Sequence, residues 1–245
     1  PQVDGASQEA RLKHLNEVLA DLNTIDFPRL SAEEKVNAQV FRRIIEERIS
    51  DLRFKTYQAP FNADSFFWTE FTPREGFADQ EAYRRYLGRL ADVPRYFDEH
   101  IANMRAGLKR GFTVPKVSVL GRDKTIEPYL ATDDANPLFL PFTQMPTNIA
   151  AADQERIRTE ARAVLAKQVV PAYTKLLDFI RKEYLVKART TIAASALPDG
   201  ATFYQARIEK FTTLKLTPQE IHQIGLGEVA RIKEEMQATM QKAGF

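Results

Sequence analysis

Cysteine is absent from the 245 residues. That excludes disulfide scaffolds, thiolate zinc sites and cysteine nucleophiles together. Histidine is scarce: His14, His100 and His222 stand far apart, none with a second histidine one helical turn away. HExxH, the commonest helical zinc motif, is therefore missing, as are GxSxG, a P-loop and a GxGxxG fingerprint. Gly225-Leu226-Gly227 lies inside a helical pattern with no preceding strand, which suits a close helix–helix approach better than a dinucleotide. No apolar run reaches the roughly 18 residues of a membrane helix, and no leader peptide is visible. Charge of one sign is lacking too. Lys and Arg number 35 against 33 Asp and Glu, a net charge of +2, which gives nucleic-acid binding no support. Glu33-Glu34, Glu46-Glu47 and Glu234-Glu235 are adjacent residues that diverge on a helix, so none makes an acid/base pair. The chain shows no catalytic constellation.

What is present is ordinary globular material, 44% hydrophobic and 28% charged. The length suits one large domain or two small ones, burying roughly 70–75% of the unfolded surface. The chain opens on Pro1 without a Met, as expected of a processed or trimmed product, which leaves room for a removed export signal.

Helical patterns fill most of it. Leu12, Leu15, Leu19 and Leu22 recur at helical spacing behind Ser7 as N-cap. Ser31 and Glu34 form a capping box, opening a helix that runs to about Tyr57 with Val36, Val40, Phe41, Ile44, Ile45, Ile49 and Leu52 as its core stripe. Asp79 starts a helix carrying Tyr83, Tyr86, Leu87 and Leu90; Pro94 begins the next, which Gly111 ends. Asp153 caps the longest pattern, from Ile157 through Tyr173 to Tyr184, with a kink predicted at Pro171 because its ring meets the carbonyl of Lys167.

Two stretches break the periodicity. Phe61, Phe66, Phe67, Trp68, Phe71 and Phe77 crowd residues 58–78, where rings at this density must tuck into the body or form a substrate wall. The tucked reading is favoured. Residues 111–148 read as a long irregular connection with a short helix at 126–130, an extended apolar segment at 136–142, and a hinge or strand pair as its role. Arg105, Lys109, Arg110, Lys116, Arg122 and Lys124 make a basic cluster best explained as compensation of a helix C-terminus.

The stretch from Ser195 to Met236 organises the rest. Leu197-Pro198-Asp199-Gly200 is a turn, and Thr217-Pro218-Gln219-Glu220 is a strong helix start. Ile221, Ile224, Val229, Ile232, Met236 and Met240 follow near one face.

Ile101–Leu108 running into Gly111-Phe112-Thr113-Val114-Pro115, and the block from Ala196-Leu197-Pro198-Asp199-Gly200 through Tyr204, Phe211-Thr212-Thr213 and Leu216–Leu226, resemble the N-terminal half of the bacterial domain of unknown function 885 family. The resemblance extends over nearly the whole chain. It implies an all-α, antiparallel helical array with long irregular connections. It also makes residues 1–245 a single helical domain from the N-terminal part of a longer protein, exported to the periplasm or cell envelope. Family members carry HExxPGH in their C-terminal half, similar to the zinc site of gluzincin peptidases, where two histidines hold Zn²⁺ and the glutamate acts as general base. This chain contains no such motif, so no catalytic or metal residue carries over.

By that resemblance the chain is a scaffold and substrate-channel part of a zinc-dependent peptidase. Zinc is expected in the C-terminal half, and that half (or a partner chain) is the expected partner, with a peptide as substrate. Tyr204, Thr212 and Thr213 are the candidates for substrate contact. Alternatively, Tyr204 packs under the 197–200 turn and the threonines cap or connect helices. A stand-alone helical binding module is the competing function, and an apolar-ligand carrier a third.

Overall fold

Side-chain caps at Asp4, Ser31, Asp79 and Thr217 fix the starts of the longer helices that follow them. In the computed structural model, which describes residues 1–73 and 76–245, the chain is 73% helical, with no strand among the described residues. The expected all-α class is what forms. Residues 1–192 make one compact unit and residues 193–245 a second.

In the first unit, α1 (Gly5–Asn23) is capped by Asp4, whose carboxylate accepts from the Ser7 N–H at 2.9 Å. Ser7, the cap expected from sequence, sits instead inside the first turn, where its N–H is the donor being capped. Helix α2 (Ala32–Arg53) has the capping box expected at Ser31 and Glu34. It stops before Tyr57, because Lys55 turns to a positive φ of 54° and Thr56–Gln58 tightens into a 3₁₀ turn. Asp79 caps α3 (Gln80–Ala91), and α4 (Val93–Arg110) runs from Pro94 in its first turn to a left-handed Gly111.

The irregular region is more helical than expected. It holds α5 (Lys116–Val119), 3₁₀ turns at Arg122–Leu130 and Pro137–Phe139, and α6 (Leu140–Thr143). Residues 136–142 are thus coiled, not extended. Asn136 drives this by accepting from Leu138 N while donating to the Tyr129 and Ala131 carbonyls.

Helix α7 (Ala151–Val164) starts two residues before Asp153, which lies in its first turn and does not cap it. At Leu165–Val169 the helix widens to a π turn, leading into α8 (Val170–Phe179). The wider turn falls just before Pro171, where the sequence predicts a clash with Lys167. A second π turn, Ile180–Tyr184, precedes α9 (Leu185–Lys187).

The core lies between α3, α4, α7 and α8 and is unusually aromatic. Trp68, Tyr83, Tyr86, Phe97, Tyr173 and Tyr184 are almost completely buried. Phe61, Phe67 and Trp68 are buried, while Phe66, Phe71 and Phe77 pack against the core, so the 58–78 aromatics are tucked in as favoured. Tyrosine hydroxyls hold the irregular backbone in place. Tyr83 donates to Pro141 O at 2.9 Å, Tyr86 to Leu138 O at 3.0 Å and Tyr173 to Trp68 O at 2.5 Å, while Tyr184 accepts from Val114 N at 3.2 Å.

In the second unit, α10 (Gly200–Thr212) follows a 3₁₀ turn at Ala194–Ala196, and α11 (Pro218–Lys242) starts from the predicted capping box at Thr217 and Glu220.

The packing of α4 makes two of its residues testable. Gly107 faces the carbonyl oxygens of Gln58 and Phe112, 2.7 and 2.8 Å from where a Cβ would lie. Gly107→Ala is expected to lower stability by about 1–3 kcal/mol, read as the denaturation midpoint; an unchanged midpoint would mean the 3₁₀ turn yields freely. His100, only 6% exposed, stacks on Phe67 at 4.0 Å and meets the edge of Tyr96 at 4.5 Å. Neither ring nitrogen has a hydrogen-bond partner among the described residues. Burial pushes its pKa down to about 4, opposed weakly by Glu99. The unfolded imidazole, near 6.5, takes up a proton that the folded one refuses until about pH 4. Stability is therefore fully present above pH 6.5 and falls by about 3 kcal/mol toward pH 4. Urea midpoints should show this slope in the wild type and a flatter one in His100→Phe, which keeps the ring but has nothing to protonate.

Candidate functional site

The three residues singled out for substrate contact lie on and just after α10. Tyr204 is 44% exposed. Thr212 ends the helix: its hydroxyl donates to Ile208 O at 2.8 Å and accepts from Leu214 N at 3.1 Å. Thr213 is exposed and left-handed, with φ 61°, and its N–H closes the helix on Glu209 O. The structure therefore engages the Thr212 hydroxyl in capping, uses only the backbone N–H of Thr213, and leaves the Tyr204 and Thr213 side chains exposed. A β-branched residue at positive φ is a backbone outlier, the kind of strain found at functional sites.

The charges of the groove between α4 and α8 are already satisfied. This groove, of about 530 Å³, is floored by Ile101, Val170, Pro171 and Phe179. Its cations are paired: Arg105 with Glu183 at 2.5 Å, Lys175 with Asp98 at 2.6 Å and Lys182 with Asp178 at 2.9 Å. The basic cluster of the sequence behaves likewise at Arg110, which donates to Phe54 O and lies 4.4 Å over the Phe112 ring. Among the described residues, nothing in the groove offers an anion an unpaired cation.

His100 is locked in the aromatic core, a buried position where hydrogen-bonded nitrogens would be expected. His14 lies on α1 and His222 on α11. Among the described residues, no group of three His, Asp or Glu side chains is placed to hold a metal ion.

What periodicity does not reveal is that two apolar helix faces lack cover. On α2 only Ile45 and Ile49 are buried, whereas Val36, Val40, Phe41 and Ile44 are 42–57% exposed. On α11 no residue is buried at all. The core stripe expected on α2 is thus mostly surface, and so is the apolar face of α11, where Ile221 alone of the stripe is half-buried. A 3.6-residue repeat shows that a helix has an apolar face; it does not say which element packs there. A Cβ added at Gly225 or Gly227 would meet nothing within 4 Å among the described residues. No helix is long and apolar enough to cross a membrane among the described residues.

Comparison with known proteins gives matches of two kinds. The sequence model of the family described as "Bacterial protein of unknown function (DUF885)" matches residues 1–245. No curated protein matches the chain. Among solved structures, that of the "putative lipoprotein from Colwellia psychrerythraea" shares the fold at a TM-score of 0.80 and 17% identity, over 99% of this chain. The chain spans less than half of that protein, 44% of its length.

If Thr213 serves only as a cap, glycine should serve better. Thr213→Gly is expected to raise stability by up to about 1 kcal/mol, because a left-handed L-residue costs roughly that much. A lowered thermal midpoint would show that the threonine side chain makes a contact worth more than the strain.

Proposed function

The chain belongs to the bacterial DUF885 family, and from that premise we propose that it is the helical scaffold of an exported zinc-dependent peptidase. The observation that carries the reading is the pair of uncovered apolar faces on α2 and α11, in a fold shared with a protein more than twice as long. An amphipathic helix without cover is unfavourable in water, and surfaces of this kind mark interfaces. A further part of the protein would cover them and supply the chemistry.

Zinc does not fit the residues present, since no cluster of ligands exists among those described. Metal and general base belong, in this reading, to an HExxPGH segment outside this sequence, and no step is routed through them here. The role left to this chain is to wall a channel and orient a peptide. Tyr204, with an exposed ring and hydroxyl, suits stacking against a side chain or donating to a peptide carbonyl. Thr212 and Thr213 would set the turn beside it. The lipoprotein name of the structural neighbour supports placement in the cell envelope. The competing reading, a helical binding module without catalysis, draws on the same apolar faces.

Metal analysis and peptide hydrolysis separate the two. The intact gene product should hold about one zinc per chain and cleave unstructured peptides until chelated, while residues 1–245 alone do neither. In the active protein, Tyr204→Phe should raise KM with little change in stability. Tight stoichiometric zinc in residues 1–245, or an intact product without zinc, would refute the proposal.

A further inference from the structure

Helix α11 is 25 residues long, roughly 37 Å. Ile221, Gly225, Val229, Ile232, Met236 and Met240 follow one another at steps of three or four residues, so they line one side of it. Val229 is 63% exposed, Ile232 46% and Met236 58%. Beside this line runs a charged rail in which Arg231 pairs with both Glu228 and Glu235, each at 2.7 Å. A helix of this kind gains most of its stability from packing its apolar side, because helices alone are marginal in water.

Gly225 is the informative residue. It sits within the apolar line, where a helix disfavours glycine relative to alanine, and a Cβ there would meet nothing within 4 Å. Within its own unit, no contact among the described residues accounts for it. A missing side chain within an apolar face, here near its N-terminal end, lets a second backbone come close.

The occupant is indicated by the structural comparison. The solved neighbour keeps this fold over 99% of the present chain, yet that region is only 44% of its length. We propose that the side of α11 centred on Gly225 is the seat of a helix from the remaining part of a longer chain, crossing closest at Gly225. The inference rests on the scaffold reading above only in requiring that further part, and not in requiring a peptidase.

Amide hydrogen exchange on residues 1–245 and on the intact gene product tests it, with Gly225→Leu and Ile232→Asp made in both. In residues 1–245, α11 should exchange rapidly, and Gly225→Leu should leave the thermal midpoint unchanged or higher. In the intact product, α11 amides should exchange about 100-fold more slowly, and both variants should remove that protection. Equal exchange in the two proteins would overturn the proposal, as would a gene product ending at Phe245. So would a dimer of residues 1–245, seen by light scattering, that Ile232→Asp dissociates, since the occupant would then be a second copy. Zinc content is measured on the same samples. Protected α11 without zinc removes the peptidase reading and leaves the docking face standing; zinc with unprotected α11 does the reverse.

Discussion

Buried tyrosine hydroxyls are what allow this fold to keep its irregular segments inside. Backbone that is neither helix nor strand carries N–H and C=O groups that must find partners when they leave water. In residues 61–73 and 111–148 several of those partners are tyrosine side chains on neighbouring helical segments. Tyr83 and Tyr86 of α3 reach Pro141 and Leu138, Tyr173 of α8 reaches Trp68, and Tyr184 reaches Val114. Each ring fills the core while its hydroxyl satisfies a loop, which aliphatic side chains cannot do. Burial pushes the Tyr86 and Tyr173 hydroxyls above the usual phenol range, so they stay protonated.

His100 is the exception in the same core. It occupies a ring-shaped space between Phe67 and Tyr96 but has no hydrogen-bond partner for either nitrogen among the described residues. Its neutrality follows from burial, and its presence makes the core sensitive to acid. The contrast with the tyrosines is chemical. A phenol places one polar atom at the far end of the ring, where a carbonyl can be met; an imidazole carries two within it.

The outside of the molecule explains why the functional reading points beyond the chain. Groove cations are paired, no metal cluster occurs among the described residues, and the Thr212 hydroxyl is occupied as a cap. Unused capacity resides instead in apolar helix faces and in the exposed Tyr204. Those features are the ones the proposed scaffold reading draws on.

By itself the sequence determined the helices, their class and most of their ends. The boxes at Ser31 and Thr217, the cap at Asp79, the stop at Gly111 and the disturbance near Pro171 are local events, decided within one turn of backbone. The motif residues likewise placed the chain in its family. Only the tertiary structure decided which apolar faces are core. The stripe of α8 is buried, that of α2 only at Ile45 and Ile49, and that of α11 at no residue, although all share one periodicity. Periodicity belongs to a single helix, whereas burial depends on a second element arriving opposite it, and no local pattern encodes that arrival. The same holds for the 136–142 coil and the orphaned His100, both fixed by neighbours distant in sequence.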